Sequence, residues 1–265
     1  MNLPLFKQGC RSNSKILLLF AAVLTMYISL ITTMFDPKIG SILDQMVQTM
    51  PEIMAAVGMS SPGSTLISFL NNYLYGFLML LFPMLYSVII ANRLIARHVD
   101  KGSMAYLLAS PVSRTRVAFT QLGVLLSGLV LLIGYCTGLG ILCAHLFFPG
   151  ELDVGRFLLL NVGALLLHTA LAGVAFFASC IADETRISLS LGAGLPILFY
   201  IFQMLANMGG DLKFFRYLTP FTLFDSAALA SGESAAFWGP AILGGAALLL
   251  FAGGILLFRR RDLPL

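Results

Sequence analysis

Charge is what this chain has least of: Asp, Glu, Lys and Arg make up only 11% of its 265 residues, against 58% hydrophobic residues. A water-soluble domain carries about 25% charged residues, and a mean hydropathy of +0.92 is more than such a domain can expose. A soluble enzyme, a nucleic-acid-binding protein and a disordered chain are excluded together. Cysteine is scarce as well. Cys10, Cys136, Cys143 and Cys180 form no CxxC pair and no His-flanked spacing, so no disulfide framework and no zinc or other metal site is expected. Nucleotide chemistry is equally absent: no GxxxxGK[ST] occurs, and Lys101-Gly102-Ser103 has its residues in the wrong order for a phosphate-binding lysine.

What the chain does have is long apolar runs. A bilayer core of about 30 Å needs roughly 20 residues at about 1.5 Å each. Six runs qualify, at residues 16–35, 66–91, 117–148, 157–182, 188–208 and 238–258, which predicts an all-α membrane protein forming a single transmembrane domain. The third exceeds what a crossing requires and should tilt or project. Asp36-Pro37 stands where the first would need a small-residue cleavage site, so it is read as a span and not as a signal peptide. Twelve basic residues, among them Lys7, Arg11, Lys15, Arg93, Arg97, Lys101, Arg114, Arg116, Arg186 and Arg259–Arg261, fall on one side of these spans. Four, Lys38, Arg156, Lys213 and Arg216, fall on the other. The excess of basic residues on cytoplasmic loops predicts both termini in the cytoplasm.

All the charged residues lie outside the six runs. Ion-driven carriers keep an ionisable side chain at membrane depth despite its cost, because it carries the coupling ion. None is placed there here, so work done by this chain should draw its energy from elsewhere.

The connecting segments are informative. Residues 1–15 place Lys7, Arg11 and Lys15 on one helical face beside Leu3, Phe6 and Cys10, the pattern of an interfacial helix or of a basic flank that fixes orientation. Residues 36–65 include an amphipathic stripe from Ser41 to Gly58, interrupted at Pro51, expected to cover an outer vestibule or to pack on span ends. In residues 92–116, Gly102-Ser103 can open a short helix that presents Met104, Leu107 and Leu108 and stops at Ser110-Pro111. Such a helix, bracketed by Asp100, Lys101 and Arg114, suits docking into a groove of a soluble partner, or packing back on its own spans. Residues 209–237 hold two helical pieces around Thr219-Pro220, with Phe214, Phe215, Tyr217, Phe221 and Phe224. They read either as a re-entrant hairpin or as an aromatic interfacial anchor.

Two stretches carry a family resemblance. VDKGSMAYLLASPVSRTRV is similar to the signature after span two of six-helix permeases of ATP-binding-cassette (ABC) transporters, type-2 group, through Gly102, Ser103, Leu107, Leu108, Pro111, Ser113 and Arg114. RYLTPFTLFDSAALASG looks like that group's signature before span six, through Leu218, Thr219, Pro220, Phe221, Phe224 and Asp225. A glutamate that many relatives carry ahead of the glycine is replaced here by Arg97-His98 before Asp100. The resemblance covers essentially the whole chain. It implies an exporter subunit of a bacterial inner membrane whose coupling helix, formed by Asp100, Lys101, Gly102, Ser103, Met104, Leu107, Leu108, Pro111 and Arg114, seats in a cytoplasmic ATPase. It further implies two ATPase copies, which hold the ATP and Mg while this chain holds no cofactor, and a second permease subunit, identical or paralogous. The uncharged spans suit an amphipathic or hydrophobic substrate such as a drug, an antimicrobial peptide or a lipid.

Lone polar residues complete the reading. Asn71, Asn72, Gln203 and Asn207 cluster toward outer span ends and His168 lies near the middle of span four. Each is expected to bond between helices or to line a substrate path. Pro83 and Pro196 should kink spans two and five. A rival expectation is an intramembrane enzyme that joins His145 or His168 to Cys143, Ser127 or Ser179, although no HExxH or GxSxG accompanies them. A passive channel would need a more hydrophilic lining than these spans offer.

Overall fold

The computed structural model describes residues 1–36, 48–56, 58, 65–104 and 112–261, and in them the chain is helical without strands. The elements are α1 (Leu3–Thr33), the short α2 (Pro51–Ala56), α3 (Leu66–Leu70), a π-helical stretch (Asn71–Leu78), α4 (Met79–Leu94), α5 (Ala96–Asp100), α6 (Arg114–Phe147), α7 (Val154–Ile181) and α8 (Thr185–Met208). Two 3-10 segments follow (Gly210–Leu218 and Pro220–Leu223), then α9 (Ser226–Ser231), a third 3-10 segment (Ser234–Phe237) and α10 (Trp238–Arg260). Among the described residues, six helical stretches are long and apolar enough to cross a membrane: α1, α3 through α5, α6, α7, α8 and α10 with the turn before it. Several begin at a polar residue that satisfies orphan backbone N–H groups. Asn2 accepts from Leu5 N, Thr65 from Ser68 N, Ser113 from Arg116 N and Asp153 from Arg156 N.

Both termini lie at one end of the bundle, as six crossings require. At this terminal end Asn2 N donates to Thr120 Oγ1 at 2.9 Å and Asn92 Nδ2 to the Thr185 carbonyl at 3.2 Å. Arg114 donates to the Arg261 carbonyl at 2.6 Å. The Arg261 guanidinium reaches the Cys180 and Ala182 carbonyls at 2.9 and 3.0 Å and pairs with Asp183. The last helix is thereby tied to the turn between α7 and α8. At the far end, Phe35 meets Phe69 and Phe148 at 5.5 and 5.2 Å, and Tyr75 meets Phe157 at 6.3 Å.

α7 is the central helix. Lipid tails are as apolar as leucine, so helices in a bilayer associate by close packing, which small residues permit. Gly192 of α8 lies against Ala175 of α7, and Gly173 of α7 against Ala247 and Leu250 of α10, each so close that a Cβ would stand 3.2–3.3 Å from its neighbour. Proline removes the donor for the carbonyl four residues earlier, so the Gly192 approach also lies where Pro196 interrupts the α8 ladder.

The basic amino-terminal stretch and the first span form one helix. Met1, Phe6 and Gly9 all stand over Gly123, Val124 or Gln121 of α6, so the first nine residues cross α6 at a single level. Thr25 then meets Tyr135 much further along, hydroxyl to hydroxyl at 2.7 Å.

Candidate functional site

At the far end, the outer turns of the second and fifth spans and the segment before α10 enclose an open cavity of about 360 Å³. Asn71 and Tyr75 are one helical turn apart on the π-helical stretch, and Tyr200, Gln203 and Asn207 form a stripe at i, i+3 and i+7 on α8. All five line the cavity, together with Phe221, Phe224 and Asp225. Of the residues expected on a substrate path, Asn71, Gln203 and Asn207 are therefore brought together. Asn72 is buried without lining the cavity, and His168 lies elsewhere. Tyr75, Tyr200, Thr222, Lys213 and Arg216 also line it and were not expected on a substrate path. The helical spacing of the two tyrosines with Asn71 and Gln203 was the signal that could have found them.

Hydrogen bonds organise one wall. Gln203 Nε2 donates to Asn207 Oδ1 at 2.9 Å, and the Thr222 hydroxyl stands 3.0 Å from Gln203 Oε1 and 2.8 Å from the Arg216 carbonyl. Asn71 Oδ1 is buried with no partner among the described residues, leaving an acceptor at the cavity for a ligand donor or a water. The outer amphipathic stripe is described only in part, since residues 37–47, 57 and 59–64 lie outside the described residues. Of the part described, Ala55, Ala56 and Gly58 line the cavity. Gly58, at φ +81, comes so close to Gly76 that a Cβ would lie 2.8 Å from its Cα.

The segment before α10 folds back on the bundle. The Thr219 side chain accepts from Phe221 N and Asp225 from Ala228 N. Phe221 and Phe224 are buried, with Phe221 packed edge-on to Tyr200 at 5.6 Å. Phe224 and Leu229 stand over Gly163 of α7, nine residues or roughly 14 Å along that helix from its start. Phe214, Tyr217 and Leu218 are exposed. Pro220 occupies the first position of its 3-10 segment, where no N–H is needed.

His168 is fully buried, and its Nε2 lies 2.7 Å from the Met79 carbonyl. A carbonyl only accepts, so Nε2 carries the proton. Met79 is four residues before Pro83, which has no N–H to offer it. The imidazole thus supplies the donor that proline withholds. One turn outward, the Tyr200 hydroxyl donates to the Gly76 carbonyl at 3.2 Å. The π-helical stretch, a form concentrated at functional positions, ends at Leu78, between these two carbonyls.

The serine–histidine pairings of the enzyme expectation are not formed among the described residues. Gly140 of α6 meets Phe157 of α7. His145 lies five residues outward from Gly140 and His168 eleven residues inward from Phe157, so their levels differ by roughly 24 Å. Ser179 bonds Ser188 and the Ala175 carbonyl, and Ser127 bonds the Val124 carbonyl. Neither serine bonds a histidine.

At the terminal end, the segment expected to couple to a partner is described up to Met104 and again from residue 112. Leu107, Leu108 and Pro111 lie outside the described residues. Gly102 has φ +68 and its N–H bonds the Val99 carbonyl at 2.9 Å, so it closes α5 in a left-handed turn. The chain then folds back, and Ser103 Oγ stands 2.9 Å from His98 Nδ1. Ser103 stands directly before Met104, where the structure turns helical again, and the rest of the helix it was expected to open lies outside the described residues. Asp100 and Lys101 are exposed, Met104 is buried, and Arg114 opens α6 with its guanidinium on the Arg261 carbonyl.

A family model described as ABC-2 family transporter protein matches residues 6–263 of the chain. A search of curated proteins found no match.

Proposed function

From the premise that this chain belongs to the ABC-2 family transporter proteins, and is thus a multi-pass membrane subunit of an ABC transporter that is not itself the ATPase, we propose that it is the permease of an ATP-driven exporter. The observation that carries this reading is the absence of Asp, Glu, Lys and Arg from the six apolar runs, which leaves no place for a coupling ion. Energy then enters from a soluble partner. Two copies of a cytoplasmic ABC ATPase, holding ATP and Mg, clamp on the segment from Asp100 to Arg114. A second permease subunit, identical or paralogous, completes the path, since six helices from one chain enclose little by themselves.

The terminal end, with its basic excess, faces the cytoplasm of a bacterial inner membrane, and the first residues of α1 lie across α6 at the lipid interface. The far-end cavity is the outer vestibule of the path. Its aromatic and amide lining suits an amphipathic or hydrophobic substrate, a drug, an antimicrobial peptide or a lipid. The segment containing Thr219, Pro220, Phe221, Phe224 and Asp225 dips into the outer leaflet as a re-entrant hairpin, as its reach along α7 to Gly163 suggests. Aspartate at both leucines of the coupling segment, L107D/L108D, is expected to abolish co-purification of the ATPase while membrane insertion stays normal. An ATPase retained at the wild-type ratio removes the coupling assignment.

A further inference from the structure

A second cavity, of about 290 Å³, lies at the terminal end between the first turns of α1, the end of the second span and α6. Arg93, Arg97 and Lys101 line it at i, i+4 and i+8, and no described carboxylate does. None of the three has an ion-pair partner among the described residues, where the pairs formed are Arg156 with Asp153 and Arg261 with Asp183. Cations gathered around a recess without counter-charge repel one another and call for an anion. Two further residues define its chemistry. Asn13 and Gln121, 7% and 2% exposed, line the same cavity, and the side-chain oxygen of each is buried with no hydrogen-bond partner among the described residues. A buried acceptor left unpaired calls for a donor. The natural occupant therefore carries negative charge and hydrogen-bond donors together.

We propose that this cavity binds the headgroup of an anionic glycerophospholipid. Its phosphodiester sits on Arg93, Arg97 and Lys101, where the guanidinium fork matches the paired phosphate oxygens. Hydroxyls of a glycerol headgroup donate to the Asn13 and Gln121 oxygens. The recess opens just past the end of an apolar span, at the depth where lipid phosphates lie. Free inorganic phosphate shares the first half of this chemistry but brings fewer donors to the second.

The test is native mass spectrometry of the full chain in detergent, titrated with phosphatidylglycerol or phosphatidylcholine. Phosphatidylglycerol adducts should appear at about tenfold lower lipid concentration than phosphatidylcholine adducts, and R93Q/R97Q should erase that difference. R259Q/R260Q, which removes two exposed cations at the same end, should preserve it. Q121L should weaken phosphatidylglycerol binding several-fold without lowering the melting temperature, which keeps the test readable if the double arginine variant folds poorly. Binding by R93Q/R97Q equal to wild type, or a loss matched by R259Q/R260Q, overturns the site. Displacement of the lipid by millimolar inorganic phosphate overturns the lipid assignment in favour of a soluble phosphate. Expulsion of the lipid when the ATPase is bound assigns the cations to partner carboxylates and overturns it likewise.

Discussion

At the scale of single residues, the second span turns on one donor that is missing and another that replaces it. Pro83 takes the N–H away from the Met79 carbonyl and His168 gives one back from a different helix. A buried carbonyl that loses its only donor costs about 1–3 kcal/mol. His168→Leu should therefore lower the stability of the purified protein by about that amount, whereas Pro83→Ala restores the local donor. The double variant P83A/H168L is then expected to be less destabilised than the sum of the two single changes, a positive coupling readable by thermal unfolding. Strict additivity would mean that the imidazole does not stand in for the proline. This pairing was only half legible in the sequence. Proline at position 83 announced a kink and histidine at 168 a helix-to-helix hydrogen bond, but sequence holds no sign of which carbonyl the histidine would find, because that depends on how α7 packs beside α4.

At the scale of elements, the far-end cavity is built by periodicity. The α8 stripe of Tyr200, Gln203 and Asn207 faces the π-helical turn carrying Asn71 and Tyr75, and the folded-back segment with Phe221 and Phe224 closes the side. Alanine at both amides, Q203A/N207A, is expected to reduce transport several-fold while abundance and ATPase co-purification remain at wild-type levels. Equal transport at equal abundance would remove the vestibule assignment. The six long helices were readable because hydropathy over about 20 residues reports compatibility with lipid whatever the neighbours are. The π-helical turn was not readable, since the side chain that bonds a carbonyl within it, Tyr200, comes from another helix. The closing of α5 was not anticipated: Gly102, read as part of a helix opening, also ends the preceding helix with its left-handed φ, a role that a glycine after a short helical run signals equally well.

At the scale of the whole molecule, charge is sorted to the two ends and held out of the bundle between them. The end bearing the termini gathers the basic residues, the Arg261 tie to the α7–α8 turn and the two described ends of the coupling segment, residues 100–104 and 112–114. The opposite end gathers aromatic and amide groups around an open cavity. A bundle so divided suits a device that receives force at one face and releases cargo at the other. The direct measurement is uptake of a fluorescent amphipathic compound into proteoliposomes holding the purified chain, with and without the proposed partner ABC ATPase, under ATP or under an imposed proton or sodium gradient. Accumulation only when both the ATPase and ATP are present is the predicted result, and accumulation by the chain alone under an ion gradient would contradict it.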